Sequence, residues 1–64
     1  MKMGNRAAHL RAALSAAHRD LTHAYAQFDA VTAPELVDAC VYEINAVEAR
    51  YNYLLRRIKE EGNE

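Results

Sequence analysis

From Ala7 onward the apolar residues of the chain recur at alternating steps of three and four: Ala7, Leu10, Leu14, Ala17, Leu21, Ala24, Phe28 and Val31. After a short interruption the rule resumes with Val37, Cys40, Ile44, Val47, Tyr51, Leu54 and Ile58. This is the spacing of a heptad seam, one apolar stripe on each of two helices, and no strand-like alternation competes with it. The pattern predicts helix one over about residues 5–30, a turn over about 31–33 and helix two over about 34–61.

The interruption, FDAVTAPEL, has a local cause. With Thr32 as N-cap, Glu35 falls at N3, and the T-x-x-E spacing is that of a capping box in which each side chain satisfies the other residue's backbone N–H. Val31 and Leu36 would then staple the entry of helix two. Pro34, the only proline, sits in the first turn, where its missing N–H costs nothing. It also disfavours helical geometry at Ala33, which can move the cap by one residue.

So short a connection makes the two helices antiparallel neighbours. Folding about Thr32 pairs the seams layer by layer: Leu10 with Leu54, Leu14 with Tyr51, Ala17 with Val47, Leu21 with Ile44, Ala24 with Cys40 and Phe28 with Val37. Every layer sets apolar against apolar, and most set a large side chain against a smaller one. The fold predicted is all-α, an antiparallel two-helix hairpin forming a single domain over residues 1–64. The same register brings His18 towards Glu48 and Asp20 towards Glu43, two like charges, unless Arg50 reaches between them.

Helix two carries a second stripe, Ala39, Tyr42, Ala46, Ala49 and Tyr53, on the side away from the seam. A helix apolar on two faces is buried on two faces. Small residues alternating with tyrosines allow another helix to approach closely while the hydroxyls reach the rim. Helix one has a weaker counterpart in Ala12, Ala16, Ala26 and Ala30. Two hairpins joined into a four-helix bundle, a homodimer, are favoured over docking of a different protein because twofold self-association is so common.

Length supports a partner. Chains below about 70–80 residues rarely gain more than ~3–5 kcal/mol from one core, and this one has 64 residues with a single cysteine, Cys40, so no internal disulfide. The net charge of -1 argues against general nucleic-acid binding. Its distribution is uneven: residues 1–27 hold Lys2, Arg6, Arg11 and Arg19 against Asp20, a net +3, whereas residues 28–55 hold five carboxylates against Arg50, a net -4. The end beyond them balances. Lys2, Arg6 and Arg11 share the open end of the hairpin with Arg56, Arg57 and Lys59, a basic patch that carries the alternative reading, a nucleic-acid-associated protein. MKMGNR precedes no apolar run and nothing approaches a spanning segment, so a cytoplasmic protein without membrane attachment is expected.

Catalytic chemistry finds little support. His9 and His23 lie fourteen residues apart, about 21 Å along a helix and too far to share an ion. No acid or histidine stands one turn from His18, and no metal-ligand spacing occurs. Cys40 on the seam reads as a small hydrophobe, with no cation nearby to activate it. Asp38, Glu43 and Glu48, five residues apart, scatter around the helix as a solvated flank. Tyr51 lies on the seam and needs a layer where its hydroxyl meets water. RRIKEE offers Arg56 with Glu60 and Arg57 with Glu61 at i,i+4, and Gly62 reads as a stop. No enzyme, metal or cofactor is expected.

The segment FDAVTAPELVDACVYEINAVEARYNYLL resembles the YaaL-like family of short bacterial proteins, a domain of unknown function. The resemblance runs through Phe28 and Asp29, then Pro34, Glu35 and Leu36, then Asn45, Ala46, Glu48, Arg50 and Tyr51, and finally Tyr53, Leu54 and Leu55. Helix one matches only in length and character. The resemblance implies a bacterial, cytosolic, all-helical protein and brings no activity or cofactor with it.

Overall fold

The structure, a computed structural model, describes residues 2–62, with side chains from residue 6 to residue 61. It is a hairpin of two helices, α1 (Lys2–Ala30) and α2 (Pro34–Gly62), each of 29 residues. They pack against each other along a rod 49 × 14 × 12 Å in extent. Helix α1 opens at Lys2, ahead of the start near residue 5 that the seam predicts. Gly62, read as a stop, is the last residue described and is still helical.

The seams face each other. Ala17 (1% exposed), Ala24, Ile44, Val47 and Leu54 are buried, and Leu10, Leu14, Leu21, Val37, Cys40, Tyr51 and Ile58 are half-buried. The two alanines are the most enclosed residues because a methyl group lets the backbones approach. Phe28 departs from the expected layers: it stays 37% exposed. The last layer before the turn has packed chain on one side only, so a ring there cannot be enclosed.

The turn also differs from its expected chemistry. Helix α2 starts with Pro34 at N1, where a fixed φ and a missing donor suit the helix. The Leu36 N–H donates to the Ala33 carbonyl at 3.0 Å, and the Val31 N–H donates to the Phe28 carbonyl at 3.3 Å. Ala33 is therefore the residue at the cap. Thr32 is exposed, and among the described residues no hydrogen bond joins it to Glu35. The capping box does not form, because proline excludes Ala33 from the helix and pushes the start one residue past Thr32. Leu36, the expected staple partner of Val31, is half-exposed and lines the same groove as Val31. Glu35 still lies in the first turn and Lys59 in the last, each suited to its end of the helix dipole.

The side-chain bridges between the helices run further along α2 than a fold about Thr32 implies. Asp20 meets Arg50, His18 lies beside Tyr51 and Arg6 meets Glu61. The physical reason is the tilt of every Cα–Cβ bond towards the N-terminus of its helix. In an antiparallel pair the two tilts oppose, so the residues whose tips touch have main chains displaced along the axis. Ala24 and Cys40, expected as one layer, both line the groove near the turn.

Candidate functional site

Positions one residue past the seam form one flank of the hairpin. Tyr25 follows Ala24, and Glu48 follows Val47, and the Tyr25 hydroxyl donates to Glu48 Oε2 at 2.6 Å. That hydrogen bond, with desolvation and the carboxylate's charge adding to it, raises the phenol above its usual pKa of 10.0. Glu48 is thus engaged by Tyr25 and not by His18, whose ring instead lies 6.1 Å from that of Tyr51 at a tilt of 48°. The sequence contains the signal for Tyr25 and Glu48, since both are seam-plus-one residues and an antiparallel pair puts such positions on the same side.

The opposite flank is open. A groove between the helices is lined near the turn by Gln27, Ala30, Leu36, Ala39 and Glu43, and a second by Asp20, His23, Tyr42, Ala46 and Arg50. Both are bounded by Ala24 and Glu43, so they form one continuous trough on one side of the molecule. Arg50 Nη2 crosses it to Asp20 Oδ2 at 2.8 Å, offsetting the like charges of Asp20 and Glu43. Of the second stripe, Ala39, Tyr42 and Ala46 form the α2 wall of this trough, and Ala49 and Tyr53 continue it at helical spacing. All five are exposed, Tyr42 to 80% and Tyr53 to 45%. Leu36, at 50%, extends the stripe towards the turn. Its position three residues before Ala39 is the signal in the sequence, alongside its expected role as the staple partner of Val31. On α1, Ala12, Ala26 and Ala30 are exposed and Ala16 is half-buried.

At the open end the basic residues do not form a single-sign patch. Arg57 donates to the Tyr53 hydroxyl at 3.0 Å and to Glu61 at 3.4 Å, and lies 3.9 Å from Glu60. Arg6 reaches the same Glu61 at 3.4 Å. Arg56 and Arg57 stand 5.8 and 5.9 Å from the Tyr53 ring centroid, within cation–π range. The pair expected between Arg56 and Glu60 gives way to this cluster around Arg57. Arg11 and Lys59 are exposed, and the Lys2 side chain lies outside the described residues. Two carboxylates interleaved with the cations make this end a mixed-charge clamp that ties α1 to α2 and fixes the Tyr53 ring.

Among the described residues no three of His, Cys, Asp and Glu come together where they could hold a metal ion, and no helix is long and apolar enough to cross a membrane. Cys40 is a half-buried free thiol on the trough wall. What the surface offers is shape and apolar area: small residues, projecting aromatics and a charge on either side.

Comparison with curated proteins and with solved structures finds no match to the chain. A family model described as a protein of unknown function, DUF2508, matches residues 5–63, taking in α1 as well as the segment from Phe28. Spanning both helices, the turn and the whole exposed stripe, that match makes the chain a member of the DUF2508 family of proteins of unknown function.

Proposed function

We propose that the protein is a small non-catalytic interaction module, two hairpins packing through the exposed side of α2 into a four-helix bundle that serves as a binding or regulatory unit. The observation that carries this reading is Tyr42, 80% exposed at the centre of a stripe of small residues and flanked by half-exposed Leu36 and Tyr53. Apolar groups gathered on one face mark an interaction site more often than they mark a bare surface.

The thin core adds support. Among the described residues two of the five that are buried are alanines, and a two-layer hairpin of this length has little to offset the entropy of ordering the chain. A second layer of helices over the trough would bury Tyr42 and complete the enclosure of Cys40. The resemblance of Phe28 to Leu55 to the YaaL-like proteins supports a bacterial, cytosolic setting. The alternative of a nucleic-acid-associated protein is weakened by the carboxylates of Glu60 and Glu61 among the basic side chains.

Thermal unfolding at several protein concentrations tests the reading. A dimer melts higher as concentration rises, and Tyr42→Glu removes that dependence while the far-ultraviolet signal of the helices persists. A wild-type melting temperature independent of concentration overturns it.

A further inference from the structure

The stripe on α2 is polarised in charge as well as in position. No lysine or arginine occurs between Leu21 and Ala49, a span that holds Asp29, Glu35, Asp38, Glu43 and Glu48. The open end carries Arg6, Arg11, Arg56, Arg57 and Lys59 against Glu60 and Glu61. Along the stripe itself, Glu43 borders the half nearer the turn and Arg50 the half nearer the open end. Glu35, seven residues before Tyr42, and Arg57, bonded to the Tyr53 hydroxyl, mark its two ends. The hairpin is therefore an acid-to-base rod 49 Å long.

We infer that the occupant of this face is a second copy of the chain lying antiparallel, turn to open end, with the twofold axis passing near Ala46. This rests on the self-association proposed above and fixes its geometry. About such an axis, Ala46 meets its own copy and permits close approach, Tyr53 covers Ala39 and Tyr42 covers Ala49. Each large group meets a small one, as an isologous interface requires. Glu35 comes level with Arg57 of the second copy and Glu43 with Arg50. Arg50 and Arg57 retain spare donors for this pairing, since a guanidinium carries five. A parallel arrangement instead sets Tyr42 on Tyr42, Glu43 beside Glu43 and Arg57 beside Arg57, crowding the large groups and opposing like charges. The face is long enough: a rod 49 Å by 14 Å presents on the order of 700 Å², close to the ~800 Å² per partner of a standard interface.

Electron–electron distance measurement with a spin label at the turn distinguishes the arrangements. Thr32 is exposed and makes no side-chain hydrogen bond among the described residues, so Thr32→Cys in a Cys40→Ser background places the label without disturbing packing. The antiparallel dimer puts the two turns about 40 Å apart, from fourteen residues at 1.5 Å on either side of the axis. A parallel dimer puts them within ~20 Å, and that result overturns the orientation while leaving self-association intact. No dipolar coupling, in a sample that sediments as a monomer, overturns the self-association on which the orientation rests. The unaltered protein gives a second reading: raising salt from ~50 to ~500 mM weakens an antiparallel dimer several-fold by screening opposite charges. A dimer that tightens with salt over that range contradicts the charge pairing.

Discussion

Replacing Ile44 by alanine removes the largest β-branched side chain among the buried seam residues. Ile44 is 8% exposed, on the seam of α2 that faces α1. Three carbon atoms are lost, at ~0.8 kcal/mol each, a transfer cost of about 2.5 kcal/mol. Because only two helices enclose the site, they can close on the space or admit water, so the added cavity cost is small and the total lies near the lower end of the ~2–5 kcal/mol range for such changes. For a chain of this length 1 kcal/mol moves the melting temperature by roughly 4–8 °C, so Ile44→Ala melts about 10–20 °C below wild type. Circular dichroism melts at matched concentration measure it. A decrease below about 4 °C, equivalent to ~0.5–1 kcal/mol, would refute the buried seam, since only a solvent-facing isoleucine is that dispensable.

Three further substitutions probe the turn and the flanks. Thr32→Ala leaves stability within ~0.5 kcal/mol, whereas Ala33→Ser, which supplies an acceptor at the cap, adds about 0.5–2 kcal/mol; urea unfolding that ranks them the other way restores the capping box. Tyr25, whose pKa is raised by its bond to Glu48, contributes stability that is whole below pH 10.0 and lost as the pH rises through the raised folded value. The stability difference between wild type and Tyr25→Phe is therefore present at neutral pH and disappears in strong alkali, and a difference that grows with alkali contradicts the assignment. Arg50 and Asp20, both more than half exposed, show a double-mutant coupling of only ~0.2–1 kcal/mol that shrinks with salt; a larger, salt-insensitive coupling would mean that the trough is covered.

The fold was legible because heptad spacing and proline act over a few residues. The steps of three and four from Ala7 to Ile58 state which side of each helix is buried, and Pro34 states where α2 can begin. What escaped the sequence depends on side-chain reach. The fold about Thr32 sets the backbone levels, but the tilt of the Cα–Cβ bonds moved Arg50 onto Asp20 and released Glu48 from His18 to Tyr25. The capping box was lost to a competition within four residues, in which the constraint of proline on Ala33 outweighed the hydroxyl of Thr32. The exposed stripe from Ala39 to Tyr53 was readable as a second apolar period on α2. Its junction with the trough was not, because that depends on which flank of α1 carries Asp20, His23 and Gln27. Likewise the basic residues at the open end could be counted in the sequence, but their interleaving with Glu61 required the two helix ends to be brought together.

Sedimentation equilibrium of the unmodified protein across the micromolar range tests the central claim most directly. The expected result is a mass of twice 7.2 kDa that falls towards the single chain on dilution and that Tyr42→Glu abolishes. A folded single chain at every concentration, with Tyr42 left in water, would contradict it.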